Sequence, residues 1–110
     1  MIIKLYDVKV RTTPFGSKDE PKIADREEKK FVNKFVKFIN SCDVKESIVK
    51  ITSMKVKVKN KTYTGAEVSV EVAIVRPENS EKVLEKIRKI GTKINGVELL
   101  GISYNREKSE

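Results

Sequence analysis

Residues 48–75 read IVKITSMKVKVKNKTYTGAEVSVEVAIV, two alternating apolar runs separated by a polar, turn-forming stretch. In the second run Val68, Val70, Val72 and Ile74 share one side, and Glu67, Ser69 and Glu71 share the other. A side-chain period of two marks a strand with one face buried. The first run has the same period but changes phase, with Val49 and Ile51 at odd positions and Met54, Val56 and Val58 at even ones. One extra residue near Thr52 and Ser53, a β-bulge, restores a single apolar face. Residues Asn60 to Gly65 supply the turn, so the whole stretch predicts a hairpin.

The flanks extend this hairpin in both directions. On its N-terminal side, Phe31, Val32, Phe35, Phe38 and Ile39 recur at helical spacing, which predicts a helix from about Asp25 to Ser41 with Asp25 as its cap and Glu28 three residues on. Earlier still, Tyr6, Val8 and Val10 alternate with Asp7, Lys9 and Arg11 and predict a first strand. A long loop, Thr12 to Lys22 with Pro14, Gly16, Ser17 and Pro21, separates that strand from the helix. On the C-terminal side, Pro77 stops the third strand and Ser80 can cap a second helix carrying Val83, Leu84, Ile87, Ile90 and Ile94. Leu100, Ile102 and Tyr104 are expected to form the core face of a last strand, with Ile3, Leu5 and Leu99 on the outer sheet face.

The resulting order, strand, helix, strand, strand, helix, strand, resembles the split β-α-β or ferredoxin-like superfold. The resemblance implies an α+β sandwich: a four-stranded antiparallel sheet ordered 4-1-3-2 with two helices on one face. Right-handed crossovers leave few other compact arrangements. One domain is expected over residues 1–104, followed by a polar tail at 105–110 expected to be disordered.

Composition narrows the chemistry. The 110 residues hold one cysteine, Cys42, and no histidine, so neither an internal disulfide nor a zinc site is expected, and no cofactor motif is present. Cys42 falls near the C-terminal end of the first helix, where the helix dipole opposes thiolate formation, and reads as a structural thiol. No stretch is apolar enough to span a membrane, which makes a cytoplasmic location the expectation. The 36% charged content and the absence of Gln and Trp are compatible with a thermophilic source.

The net charge of +8 favours an anionic partner, because Lys and Arg release counterions from a polyanion. The superfold's topology gathers Arg11, Lys18, Lys22, Lys59, Lys61 and Lys93 at one end, with Phe15 at a loop tip where it could stack on a base. This end is the candidate site for RNA or another phosphate-bearing partner, bound through backbone contacts. Two relatives by architecture fit less well. The glycine-rich phosphate loop of acylphosphatases has only Gly16 to match it here, and the sheet-face aromatics of RNA-recognition motifs are replaced by Glu67, Ser69 and Glu71. Lys55, Lys57, Lys59 and Lys61 on the expected edge strand can equally protect that edge from aggregation.

The alternative is a non-catalytic accessory or regulatory subunit that oligomerises through its sheet, as ACT modules use this architecture. Ile3, Leu5 and Leu99 are its candidate contact residues. An enzyme whose site forms only between subunits stays open as a third reading.

Overall fold

A computed structural model describes residues 2–12, 21–58 and 66–105, the side chains of residues 21–25 and 58 excepted. Its elements are β1 (Ile3–Thr12), α1 (Pro21–Asn40), β2 (Ile48–Val58), β3 (Ala66–Val75), α2 (Ser80–Arg88), α3 (Ile90–Lys93) and β4 (Val97–Asn105). The strands form one antiparallel sheet in the order β2-β3-β1-β4, the ferredoxin-like arrangement.

The hairpin pairs as its alternation requires. Met54, Val56 and Val58 lie opposite Val70, Val68 and Ala66, Val49 and Ile51 lie opposite Ile74 and Val72, and the register slips between Ile51 and Ser53. Thr52 is the extra residue, and the bulge keeps Val49, Ile51, Met54 and Val56 on the core face, while Ile48 lies on the other. Central β1 carries Tyr6, Val8 and Val10 on that face, each buried. Phe31, Phe35 and Ile39 of α1 and Val83, Leu84 and Ile87 of α2 close over it in a single cluster. The Phe31 and Phe35 rings stack with centroids 5.8 Å apart, one helical turn separating them.

Three boundaries differ from the sequence reading. Helix α1 begins at Pro21, so Asp25 lies inside the helix and the first turn holds no acidic residue. Pro is favoured at that position because the first turn's N–H groups have no intrahelical acceptor in any case. The second helical segment breaks at Lys89, and the short α3 takes Gly91 close to β4, where a Cβ would stand 3.2 Å from the Val97 carbonyl oxygen. Gly96, with φ of 79°, then turns the chain into β4.

The third difference corrects the face of β4. Val10 pairs with Leu99 while Lys9 pairs with Gly101, so Leu100 is an unmatched residue at a second bulge. Leu99 therefore packs against the core and Leu100 is 40% exposed, the reverse of the parity expected from simple alternation. Ile102 and Tyr104 keep their core-facing side, and the Tyr104 ring meets Tyr6 at 5.3 Å. The tight turn before β2 is also unusual: Val44 and Ser47 exchange backbone hydrogen bonds across Lys45 and Glu46, both with positive φ.

Candidate functional site

Among the described residues, the helices lie on one side of the sheet and no element covers the other. The register divides that open face into rows. At one end, Ile48, Val75 and Ile3 stand side by side, and in the next row Lys50, Ala73 and Leu5 do so. These rows make an apolar strip, with Ile48 42% exposed and Ile3, Leu5 and Val75 half-buried. The strip contains two of the three candidate contact residues, Ile3 and Leu5. Leu99 is on the opposite side of the sheet.

The remaining rows are charged. Lys57, Glu67, Arg11 and Glu98 alternate in sign across all four strands, and Arg11 approaches Glu98 to 3.9 Å. Lys55 and Lys9 flank Ser69 in the next row, and Glu71 and Asp7 follow in the one after. The Thr52 hydroxyl donates to the Glu71 carboxylate at 2.7 Å. These rows hold four cations (Lys9, Arg11, Lys55, Lys57) and four carboxylates (Asp7, Glu67, Glu71, Glu98), so their charge sums to zero. A self-neutralised surface gives a polyanion no net attraction.

The two sheet edges are built differently. Edge strand β2 carries Lys50, Lys55 and Lys57 together with a bulge, both devices that discourage strand addition. Edge strand β4, VELLGISYN, has Glu98 as its single charge over nine residues, with Leu100 and Tyr104 exposed. An edge strand offers unpaired backbone N–H and C=O groups to any extended partner, and on β4 little charge opposes such pairing.

Of the candidate cations, Arg11 and Lys93 are the two whose side chains are described. Arg11 is on the open face, whereas Lys93 of α3 lies in the helical layer on the other side of the sheet. There it borders a cleft with Phe38 of α1, Ser41 just past that helix, and Lys86 and Lys89. Lys22 belongs to α1, and Phe15, Lys18, Lys59 and Lys61 lie outside the described residues. Lys86, Lys89 and Lys93 follow one another at spacings of three and four residues, a local signal that the sequence reading did not use.

Cys42 sits at the floor of the same cleft, 1% exposed, its thiol donating to the Phe38 carbonyl at 3.2 Å. Burial pushes its pKa up to about 11, only partly opposed by the nearby Lys86 ammonium. The thiol stays protonated at neutral pH and is not an activated nucleophile. Among the described residues, no group of three or more His, Cys, Asp or Glu side chains is placed to hold a metal ion, and no helix is long and apolar enough to cross a membrane.

No protein-family model matches the chain, and no curated protein matches it. Solved structures do share its fold. A protein assigned as an aminohydrolase from methicillin-resistant Staphylococcus aureus is 16% identical with a TM-score of 0.55, over 94% of this chain and 30% of that one. A hydantoinase/carbamoylase family amidase from Burkholderia ambifaria is 14% identical with a TM-score of 0.56, over 94% of this chain and 27% of that one. An unknown protein from Galdieria sulphuraria is 12% identical with a TM-score of 0.54, over 94% of this chain and 50% of that one. This chain thus spans between 27% and 50% of the length of these matches. At such low identity the likeness is one of fold: a small α+β domain of a kind that also occurs as a part of longer chains.

Proposed function

We propose that this domain is a non-catalytic assembly module that pairs with a second copy of itself through the sheet, β4 edge against β4 edge. The observation that carries this reading is the difference in charge between the edges, three lysines on β2 against one carboxylate on β4, each strand carrying one bulge. Antiparallel addition across a twofold axis would satisfy the outer backbone groups of both β4 strands and join two four-stranded sheets into one. Recurrence of the fold as a part of longer chains supports a modular role. With Lys50 the open face carries five cations against four carboxylates, a near balance that disfavours the polyanion reading on that surface, and its apolar strip at Ile3, Leu5 and Ile48 is a further exposed patch.

The test is solution mass by light scattering over a concentration series. The expected result is a dimer that the double substitution Leu100→Lys and Ser103→Lys converts to monomer. Both positions are exposed, so the fold should survive. A companion variant, Ile3→Lys with Ile48→Lys, separates face packing from edge pairing and should leave the dimer intact. A strictly monomeric parent at every concentration would overturn the assembly reading.

A further inference from the structure

The open sheet face is neutral in its polar rows, so the positive excess of the described domain must lie largely elsewhere. Much of it is concentrated between the helices. Lys86 and Lys89 at the α2 end line a cleft of about 490 Å³, Lys34 and Lys37 of α1 line one of about 370 Å³, and the two adjoin at Phe38, Ser41 and Lys93 of α3. All five lysines are exposed, and none takes part in an ion pair recorded among the described residues. Among the described residues, no carboxylate lines either cleft. Asp43, the nearby acid that acts on Cys42, instead accepts a hydrogen bond from the Val49 N–H at 2.8 Å.

From this arrangement we propose that the interhelical cleft binds a small ligand bearing a chain of adjacent phosphates. Three arguments converge on that class. The cleft has the volume of a small-molecule site. Its donors are five ammonium groups without an arginine, and ammonium groups bind phosphate oxygens as mobile point charges. Finally, Lys34/Lys37 and Lys86/Lys89 are three residues apart and Lys89/Lys93 four apart, spacings at which like charges repel on a helix. A bound polyanion relieves that repulsion.

The supporting parts have defined positions. Lys86 Nζ donates to the Asp43 carbonyl at 3.4 Å, which holds the ammonium at the mouth of the cleft. Half-buried Phe38 and the neutral Cys42 thiol form an apolar floor that excludes water beneath the lysine heads. The site lies on the side of the sheet opposite the open face and is independent of the assembly reading.

Calorimetric titration of the whole chain with inorganic tripolyphosphate, and separately with ATP without magnesium, tests this at physiological salt. Saturable one-to-one binding is expected, weakened roughly tenfold or more by Lys86→Ser, Lys89→Ser and Lys93→Ser together. Equal affinities for the two ligands would mean that the phosphates alone are recognised; a tighter ATP complex would mean that the Phe38 wall also contributes. The charge-matched control replaces Lys9, Lys55 and Lys57 with Ser and should bind as the parent does. Equal loss in the control would reduce the effect to diffuse net charge and overturn the proposal. So would undiminished binding by the cleft variant, absence of binding by the parent, or single-stranded RNA binding more than tenfold tighter than tripolyphosphate. Thermal melts of both variants confirm that they fold.

Discussion

Thr12→Val probes how the start of β3 is held. Thr12 ends β1 on its core-facing row and is 8% exposed, and its hydroxyl oxygen accepts the Ala66 N–H at 2.8 Å. The pairing of β1 with β3 reaches Arg11 and Glu67, so this side-chain bond serves as one further rung at the buried end of the ladder. Valine matches threonine in shape but offers no acceptor, and the Ala66 N–H would stay buried and unpaired. Such an orphan costs about 1–3 kcal/mol, and the added methyl returns under about 1 kcal/mol. The expected net loss is about 1–2 kcal/mol, or roughly 4–16 °C in Tm for a domain of this size. Hydrogen exchange at the Ala66 amide separates this cause from packing: Thr12→Ser should keep the amide protected and Thr12→Val should not. A Thr12→Val variant as stable as the parent, with Ala66 still protected, would refute the reasoning.

Two further predictions concern the segment between α1 and β2. Lys45 and Glu46 have φ of 39° and 73°, the region of a two-residue turn in which Asn-Gly is favoured, so Lys45→Asn with Glu46→Gly should stabilise the fold by about 1 kcal/mol in urea titration. The exposed Glu46–Arg76 pair lost in that variant, 3.6 Å apart, contributes little, and an unchanged midpoint would show that the turn is unstrained. For Cys42, the folded-state pKa near 11 exceeds the ordinary 9.0, so the folded chain holds the thiol proton more tightly than the unfolded one. Its contribution is complete below pH 9 and declines as pH rises towards 11. Alkylation at pH 8 should be slow in the folded chain and fast in urea, and Cys42→Ala should lose less stability than the parent between pH 9 and 11. Rapid native-state alkylation would contradict the burial.

Much of the fold was legible because alternation reports burial directly. The phase change at Thr52 announced the β2 bulge, since an uninterrupted strand cannot keep Val49, Ile51, Met54 and Val56 on one face. The equivalent event in β4 was hidden. Leu99 and Leu100 are adjacent and both apolar, so either could have faced the core, and only the slip against β1 between Lys9 and Val10 assigns Leu99 inward. Helix α1 was legible in its stripe but not at its start, where Pro21, Lys22, Ile23 and Ala24 carry no cap that marks a boundary.

For the candidate surfaces the division runs along the same line. Sequence by itself determined the element order, the core residues of three strands and both long helices, and the inactivity expected of a lone cysteine at a helix end. Each of these depends on local periodicity or on a neighbour within one helical turn. Tertiary structure alone decided the charge balance of the open face, the inward turn of Leu99, and the adjoining of the clefts lined by Lys34 and Lys37 and by Lys86 and Lys89 at Lys93. Those properties arise between elements far apart in the chain, where the pairing register and the seating of the helices set which side chains become neighbours.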